Sequence, residues 1–190
     1  CLKERGFNSA ADKLLVCIDG SKALKKGLQD VFGNTLIIAR CYLHKQRNLE
    51  SYLPKANHPE LRRRMKKLMN LVKYADAVKE LASLQKWLAS ISLEAEASID
   101  EVGEELLTVH KLAMPASLRK SFATTNVIES MFSVVRSKTN RIKNWNSARD
   151  QMLRWTAAAI AEHEKQTRKI QGYRQIPLLI EGLNALALKK

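Results

Sequence analysis

The sequence predicts an α/β fold that is mostly helical, and two observations lead to that prediction. Near the start, two short apolar runs flank a segment whose apolar residues recur at helical spacing, which is the pattern of a β-α-β unit. From about Pro59 to Glu105, and again beyond Pro115, the apolar residues recur at helical spacing only. The 190 residues, of which 45% are apolar, are enough for one domain with its own core.

The β-α-β unit occupies the first part of the chain. Its first strand is the apolar run at residues 14–18, which ends at an Asp-Gly pair. A helix is predicted over residues 21–32, and Gly33 ends it in the usual C-terminal position. The second strand is the β-branched run at residues 35–39. A strand, a helix and a strand in this order indicate a right-handed crossover between two parallel strands.

Helices make up the rest of the predicted fold. The middle of the chain carries two successive amphipathic helical faces and no strand pattern. After it, a Thr-Thr-Asn cluster is typical of a helix N-terminus, and a long helix follows over about residues 146–169. A short helix that begins near a proline forms the tail. We therefore divide the chain into four segments, residues 1–58, 59–115, 116–170 and 171–190.

Charge and composition restrict the function. The chain has 33 Lys and Arg residues against 19 Asp and Glu residues, a formal net charge of +14, which favours a polyanionic partner because neutralised phosphates release their counterions. Ribosomal proteins and chaperones can be equally basic. The sequence contains neither an apolar run of about 18 residues nor a signal peptide, so we expect no membrane partner and a cytoplasmic location. Three cysteines in no disulfide framework suit a reducing compartment.

Asp19 is the first candidate for chemistry. It lies at the end of a predicted buried strand, which is where open α/β sheets present functional groups. The same carboxylate could instead cap the helix that begins near Ser21. Position alone does not separate these two interpretations.

Glu129 is the second candidate carboxylate. It lies three residues after Asn126, so that a capping-box role at the third position of a helix capped by Asn126 is one interpretation. The other depends on the helix face, because Glu129 begins a polar stripe that continues with cations, as a metal site next to a phosphate backbone would require. A solvated face remains an alternative. The opposite, apolar stripe consists of Val127, Ile128, Met131, Phe132 and Val135.

Basic residues follow Glu129 directly and are candidates for DNA binding. Trp145 lies close behind them, and an aromatic side chain among cations can stack on unpaired bases. A second basic run at residues 62–67 forms one side of an amphipathic helix, for which a solvated face is the default interpretation. The candidate DNA contacts after Glu129 are Arg136, Lys138, Arg141 and Lys143.

Three blocks of the sequence together resemble the Mutator-type transposases of bacterial insertion sequences. The most specific block lies within residues 117–141, where Thr124-Thr-Asn-Val-Ile-Glu-Ser130 is similar to the family's segment that carries the last catalytic glutamate. The strand that ends Cys-Ile-Asp-Gly is similar to the family's second aspartate block. Residues 40–49 resemble its Cys-x-x-His block with a trailing Arg-Asn-Leu. The resemblance covers residues 10–186.

The resemblance implies a fold and a mechanism. The family has an RNase H-like core in which three carboxylates bind two divalent ions, normally Mg²⁺. Water attacks first and frees a 3′-hydroxyl at the transposon end, and that hydroxyl then attacks target DNA in line. By matching position, Asp19 is the second aspartate and Glu129 the closing glutamate. Residues 1–58 and 116–170 would belong to the core, with residues 59–115 as its helical insertion.

The family's first aspartate has no match in this sequence. Neither Glu4 nor Asp12 fits its motif, and the chain begins with Cys1 rather than Met. We therefore expect a piece of a longer transposase that is inactive alone, with the missing aspartate on an upstream strand. The expected partners are DNA at transposon ends and targets, and intact transposase in a nucleoid-associated homo-oligomer. The alternatives are a non-catalytic DNA-binding or assembly remnant and a helical RNA-binding protein, of which the second leaves the Thr-Thr-Asn block unexplained.

The resemblance also indicates secondary site residues. Lys45 and Arg47 of the Cys-x-x-His block are further candidate DNA contacts, and Trp87 is placed for base stacking, although a Trp at helical spacing is more often core. Cys41 and His44 form a weak zinc signal, because structural zinc normally takes four ligands and only Cys17 could join them. A buried thiol beside a hydrogen-bonded imidazole is the alternative. We expect Cys41, His44 and Asn126 to be structural or near the site.

Overall fold

The computed structural model describes residues 13–146 and 149–187 and confirms an α/β fold that is mostly helical. The first two strands and the helix between them lie where the sequence predicts them. The elements in chain order are β1 (Leu14–Ile18), α1 (Lys22–Phe32), β2 (Leu36–Arg40), α2 (Tyr42–Ser51), α3 (His58–Asn70), α4 (Tyr74–Ala89), α5 (Leu93–Val102), α6 (Thr108–Lys111), α7 (Ala116–Phe122), α8 (Asn126–Thr139), α9 (Gln151–Gln166) and α10 (Ile176–Ala187).

The sheet of the described residues consists of β1 and β2, which pair in parallel. The register runs from Leu14 opposite Leu36 to Ile18 opposite Arg40, with α1 as the crossover. On the side of β2, the hydroxyl of Thr108 donates a 2.6 Å hydrogen bond to the carbonyl of Ile38. Two parallel strands and a crossover helix occur in many α/β folds, so the RNase H-like assignment continues to rest on the sequence resemblance.

The helical segment between β2 and α7 has its own buried core. The buried positions of α3, α4 and α5 repeat at helical spacing, as the sequence pattern predicts. Helix α5 ends at Val102 because Gly103 adopts a φ of +48°, a conformation that L side chains rarely adopt, and a short 3₁₀ turn follows. The largest fully buried side chains of this core are Leu61, Met65, Leu68, Leu84, Leu88 and Ile99.

Two buried polar side chains tie the helical segment to the residues that precede α8. Arg119 on α7 donates through Nη1 to the carbonyls of Met69 (3.0 Å) and Leu71, and through Nη2 to that of Met114 (3.0 Å). His110 on α6 donates through Nε2 to the carbonyl of Leu68 over 3.0 Å. These carbonyls belong to the end of α3 and to loops, where no helical partner satisfies them, so the two side chains fulfil a requirement of the buried backbone.

The described chain divides into two compact units. Residues 13–124 and 171–187 form the first, in which α10 returns to pack near Leu112. Residues 125–170 form the second, in which α8 packs against α9 and Lys138 pairs with Glu162 at 3.0 Å. The four-segment division drawn from the sequence stays a prediction. In the described residues no helix is both long and apolar enough to cross a bilayer.

Two glycines give opposite predictions for a change to alanine. A Cβ at Gly182 would lie 2.6 Å from the carbonyl oxygen of Leu112, whereas a Cβ at Gly27 on α1 would meet nothing within 4 Å. Gly182→Ala should therefore lower the free energy of unfolding by about 1–3 kcal/mol through overpacking. Gly27→Ala should raise it by about 0.5–1 kcal/mol through helix propensity. Urea denaturation of both variants checks this, and equal effects would contradict the packing of α10 against Leu112.

His110 predicts a loss of stability in acid. Its Nδ1 is buried without a hydrogen-bond partner, and burial, then the nearby Arg119, lower the pKa of the imidazole from 6.5 to about 4. Between these two pH values His110 binds a proton in the unfolded chain but not in the folded chain, so the free energy of unfolding falls as pH drops from 6.5 towards 4. Between pH 6.5 and 4.5 the wild type should lose on the order of 2 kcal/mol more than His110→Gln in urea denaturation. If the free energy of unfolding changes equally with pH in the wild type and in His110→Gln, His110 does not titrate in this interval.

Candidate metal and nucleic-acid site

Asp19 directly follows β1 with its side chain exposed. Its Oδ1 accepts the backbone N–H of Ser21 over 3.0 Å, and the hydroxyl of Ser21 accepts the N–H of Leu24 over 3.2 Å. Ser21 is therefore the N-cap of α1. The interpretation that Asp19 caps this helix is wrong. Its carboxylate accepts the N–H of the cap residue Ser21, not an N–H of the first helical turn, and so it fixes the turn that precedes the helix.

Asp19 borders a pocket of about 350 Å³. The pocket lies at the carboxyl ends of the two parallel strands, which is the edge where α/β sheets usually bind ligands. Helix α5 of the helical segment contributes one wall, which the sequence did not reveal. The lining residues are Asp19, Gly20, Ser21, Arg40, His44, Lys45, Asn48 and Glu101.

Arg40 is the most deeply buried cation of this pocket, at 6% exposure. Its Nη2 lies 4.0 Å from Glu101 Oε1, and its Nη1 lies 3.8 Å from Glu105 Oε2. Gly20 has a φ of +123°, and a Cβ there would lie 3.3 Å from Arg40 Nη2. Sequence reasoning missed both Arg40 and Glu101. The available signal for Arg40 was an arginine in an apolar strand, where a charge needs a specific partner.

Lys45 on α2 is also buried, at 7% exposure. Its Nζ donates to Ser98 O (2.6 Å), Ser98 Oγ (2.8 Å) and Asn48 Oδ1 (3.3 Å). Burial lowers the pKa of the ammonium from 10.5 to about 8, with Glu101 opposing the shift and Arg40 adding to it. An ammonium has three donors, all used here, so the geometry favours a structural role over the predicted phosphate contact. Arg47, by contrast, is exposed.

Cys41 and His44 contact each other at the start of α2. The imidazole Nδ1 lies 3.3 Å from Cys41 Sγ, and the backbone N–H of Cys41 donates to Ile18 O over 2.9 Å. Burial raises the pKa of the neighbouring Cys17 thiol from 9.0 to about 12, with Cys41 and Asp19 adding to the shift. No group of three or more His, Cys, Asp or Glu side chains in residues 13–146 and 149–187 is arranged to hold a metal ion. The geometry agrees with the buried thiol and bonded imidazole.

Glu129 lies in the second unit, one turn into α8. The helix begins at Asn126 with Thr125 as its N-cap residue, and the Thr125 hydroxyl donates to Glu129 Oε1 over 2.5 Å. The prediction that Asn126 caps the helix is wrong, because Asn126 already has helical geometry. Glu129 is therefore the fourth helical residue, and it is half-buried.

The predicted DNA contacts after Glu129 are exposed. Arg136 and Lys138 lie in the last turn of α8, and Arg141 and Lys143 lie just beyond it. The predicted apolar stripe of the same helix is not buried within the described chain: Val127, Ile128 and Phe132 are each about half exposed.

The second basic run, on α3, is extensively ion-paired with neighbouring carboxylates. Arg62 pairs with Glu50, Arg63 and Arg64 with Glu60, each at 2.7 Å, and Lys67 with Glu80 at 2.5 Å. The guanidinium of Arg64 also lies 5.1 Å from the ring centre of Trp87, which is half-buried. Trp87 is not among the residues that line the Asp19 pocket, and base stacking by this ring stays a prediction.

The structure thus brings part of the predicted site together. Asp19, His44 and Lys45 line one pocket, and Cys41 contacts His44 beside it. Glu129 and Asn126 lie in the unit of residues 125–170 with the cations Arg136, Lys138, Arg141 and Lys143.

Comparison with known proteins identifies related sequences. The family described as "Transposase, Mutator family" matches residues 1–168. The chain is 29% identical over 143 residues to the transposase for insertion sequence element IST2 of Acidithiobacillus ferrooxidans, covering 75% of this chain and 47% of that protein. It is 30% identical over 141 residues to the transposase for insertion sequence element IS6120 of Mycolicibacterium smegmatis, covering 74% of this chain and 42% of that protein. The aligned part is therefore less than half the length of these curated relatives. No solved structure matches.

Lys45 and Arg47, two residues apart on α2, predict opposite effects. Lys45→Met removes the three hydrogen bonds that the buried ammonium donates to Ser98 and Asn48, and it should lower the free energy of unfolding by about 1–3 kcal/mol. Arg47→Met should change it by no more than about 0.5 kcal/mol. If Arg47 contacts a phosphate, its loss should make the slope of log affinity for duplex DNA against log salt shallower by about one. Unchanged stability with a shallower slope for Lys45→Met would show instead that Lys45 contacts DNA.

Proposed function

Because the chain belongs to the Mutator family of transposases, we propose that it supplies two of the three carboxylates with which a transposase cleaves and joins DNA at transposon ends. Asp19 is the proposed second aspartate and Glu129 the proposed closing glutamate. The observation that carries this proposal is the position of Asp19, an exposed carboxylate at the carboxyl end of a parallel strand that borders a pocket with buried cations.

The donor chemistry of Asp19 fits a divalent ion such as Mg²⁺. Hard cations take oxygen ligands, and the hydrogen bond from Ser21 N–H to Oδ1 orients the carboxylate at the strand end. The sulfur of Cys41, which would suit a softer ion, is buried against His44 instead. Asp19 would hold the metal together with further carboxylates of the transposase. Bound Mg²⁺ supplies electrostatic stabilisation of the charge that develops on the phosphate.

Glu129 is oriented by its own helix. The Thr125 hydroxyl holds one carboxylate oxygen at 2.5 Å, and the N-terminal turns of α8 favour a negative charge through the helix dipole. A carboxylate that binds a metal must keep its rotamer, and a hydrogen bond from a neighbouring hydroxyl restricts that rotamer. This orientation supports Glu129 as a metal ligand.

DNA is the proposed partner. The net charge of +14 supports sequence-independent affinity for phosphates, and four cations follow the proposed metal ligand on or just after α8. Lys138 pairs with Glu162, but both side chains are about half exposed, and such an exposed pair is weak enough for a phosphate to replace it.

We propose that cleavage requires more than this chain. The sequence has no match to the family's first aspartate, so that residue would come from another part of the transposase. Mg²⁺-dependent cleavage and strand transfer are accordingly proposed for the assembled transposase, as a homo-oligomer on DNA, and not for the 190 residues alone.

Charge-neutral substitutions in a transposase that contains this chain test the proposal. Asp19→Asn and Glu129→Gln should each reduce Mg²⁺-dependent nicking of a linear transposon end by at least about a thousandfold, because each removes a ligand from the ion that stabilises the developing charge. Affinity for the same DNA should change less than about threefold, and it should still fall steeply with salt. Nicking on a labelled duplex and filter binding provide the two readouts.

Asp30→Asn on α1 and Glu164→Gln on α9 are matched controls, since both remove an exposed carboxylate outside the proposed ligand set. Both should cleave DNA like the wild type. Retained cleavage in Asp19→Asn or Glu129→Gln would remove that residue from the metal site. A wild-type protein that binds DNA but never cleaves it would support a non-catalytic DNA-binding role.

A further inference from the structure

We propose that the pocket beside Asp19 binds a phosphate group of DNA through the guanidinium of Arg40. This inference rests on the proposed function, because it adds a substrate contact next to the proposed metal ligand. Phosphate is the chemical class that a planar, permanently charged donor set fits best, since a guanidinium can give two parallel N–H bonds to its oxygens.

The first argument is that the guanidinium of Arg40 is ion-paired but makes no hydrogen bond to the described residues. The residue is 94% buried, and no hydrogen bond of the described residues involves its five guanidinium N–H groups. Its nearest carboxylate atoms lie at 3.8 and 4.0 Å, beyond hydrogen-bond distance. None of its guanidinium nitrogens is among the fully buried atoms that lack a partner, so these unbonded donors reach the space of the pocket, where phosphate oxygens can accept them.

The second argument is that Arg40 is held in place. Parallel pairing sets its backbone opposite Ile18, and the side chain packs over Gly20, where even a Cβ would lie only 3.3 Å from Nη2. Glu101 and Glu105 attract the guanidinium from α5 and the turn after it, and Lys25 bonds Glu105 at 2.5 Å. A donor positioned before the ligand arrives costs less entropy on binding.

The third argument excludes the other cation of the pocket. Lys45 has all three donors engaged by Ser98 and Asn48, so it adds positive charge but no hydrogen bond. Arg40 is therefore the cation that can donate to an anion here.

The charges of the pocket make binding dependent on a divalent ion. The cations Arg40 and Lys45 face the carboxylates of Asp19 and Glu101 across the same space. An anion alone would meet nearly balanced charge, whereas a divalent ion held by Asp19 shifts the balance towards the anion. Mg²⁺ should therefore increase the affinity of the pocket for phosphate diesters.

The test is a titration of the ¹⁵N-labelled 190-residue chain with the dinucleotide d(TpT), followed on the arginine side-chain ¹⁵N–¹H signals with and without Mg²⁺. The signal of Arg40 is assigned by its loss in Arg40→Lys. In the wild type it should shift and saturate with d(TpT), at a lower concentration when Mg²⁺ is present. Arg40→Gln should bind d(TpT) about tenfold more weakly, and Arg40→Lys should recover part of that loss by keeping the charge.

Lys86→Gln on α4 is the matched control, because it removes an exposed positive charge that lies outside the pocket lining, and it should bind d(TpT) like the wild type. If Arg40 serves only as a counterion for Glu101 and Glu105, its signal will not move at any concentration of d(TpT), which overturns the inference. That readout uses the wild type, so it holds even where Arg40→Gln fails to fold.

Asp19→Asn separates this inference from the proposed function. If Arg40 contacts phosphate and Asp19 holds Mg²⁺, then Mg²⁺ strengthens d(TpT) binding in the wild type but not in Asp19→Asn. An Arg40 signal that responds to d(TpT) equally with and without Mg²⁺ supports the phosphate contact and contradicts the Mg²⁺ dependence of this pocket. A Mg²⁺ effect that depends on Asp19 but leaves the Arg40 signal unmoved contradicts the phosphate contact alone.

Discussion

The parallel pairing of β1 with β2 is the constraint on which the pocket depends. The register places Arg40, the last residue of β2, opposite Ile18, the last residue of β1. The carboxylate of Asp19, which follows Ile18, and the buried cation Arg40 therefore lie at the same edge of the sheet. The Cys41 N–H continues the pairing by one bond to Ile18 O and then starts α2, which brings His44, Lys45 and the pocket wall to the same edge. A slip of one residue would turn these side chains to the other face of the sheet.

The helical segment is attached to this edge by buried cations. Helix α5 and the turn after it present Ser98, Glu101 and Glu105 at intervals of three and four residues, so that they follow one helical face. Lys45 bonds the first of them, and Arg40 lies between the other two. Truncating either cation would leave part-buried acceptors or carboxylates without their partner, which is more costly than replacing both partners. The segment therefore forms part of the pocket rather than a separate appendage.

The sequence predicted the β-α-β unit and the helical segment because both depend on periodicity, which is local. It also predicted Asp19 and Glu129 as candidates, since one ends a strand and the other begins a helix. It did not predict that Arg40 and Glu101 meet, because that contact joins residues 61 positions apart and depends on how α5 packs. The sequence did not identify the cap residues next to the two carboxylates for another reason: neighbouring Ser, Thr, Asp and Asn residues are all good caps, and only backbone geometry selects one.

The family blocks combine residues that hold the fold with residues that face a ligand, and burial separates the two kinds. In the segment that resembles the glutamate block, Leu118 and Arg119 are buried, and Arg119 satisfies three backbone carbonyls, so its role is structural. In the same block, the Glu129 carboxylate is half-buried and accepts the hydroxyl of Thr125 over 2.5 Å. In the Cys-x-x-His block, Lys45 has every donor satisfied, whereas Arg40 is just as buried and has none bonded. Arg40 thus attracts Glu101 and Glu105 by charge while its donors remain open to a ligand, so it serves both the fold and the proposed phosphate contact.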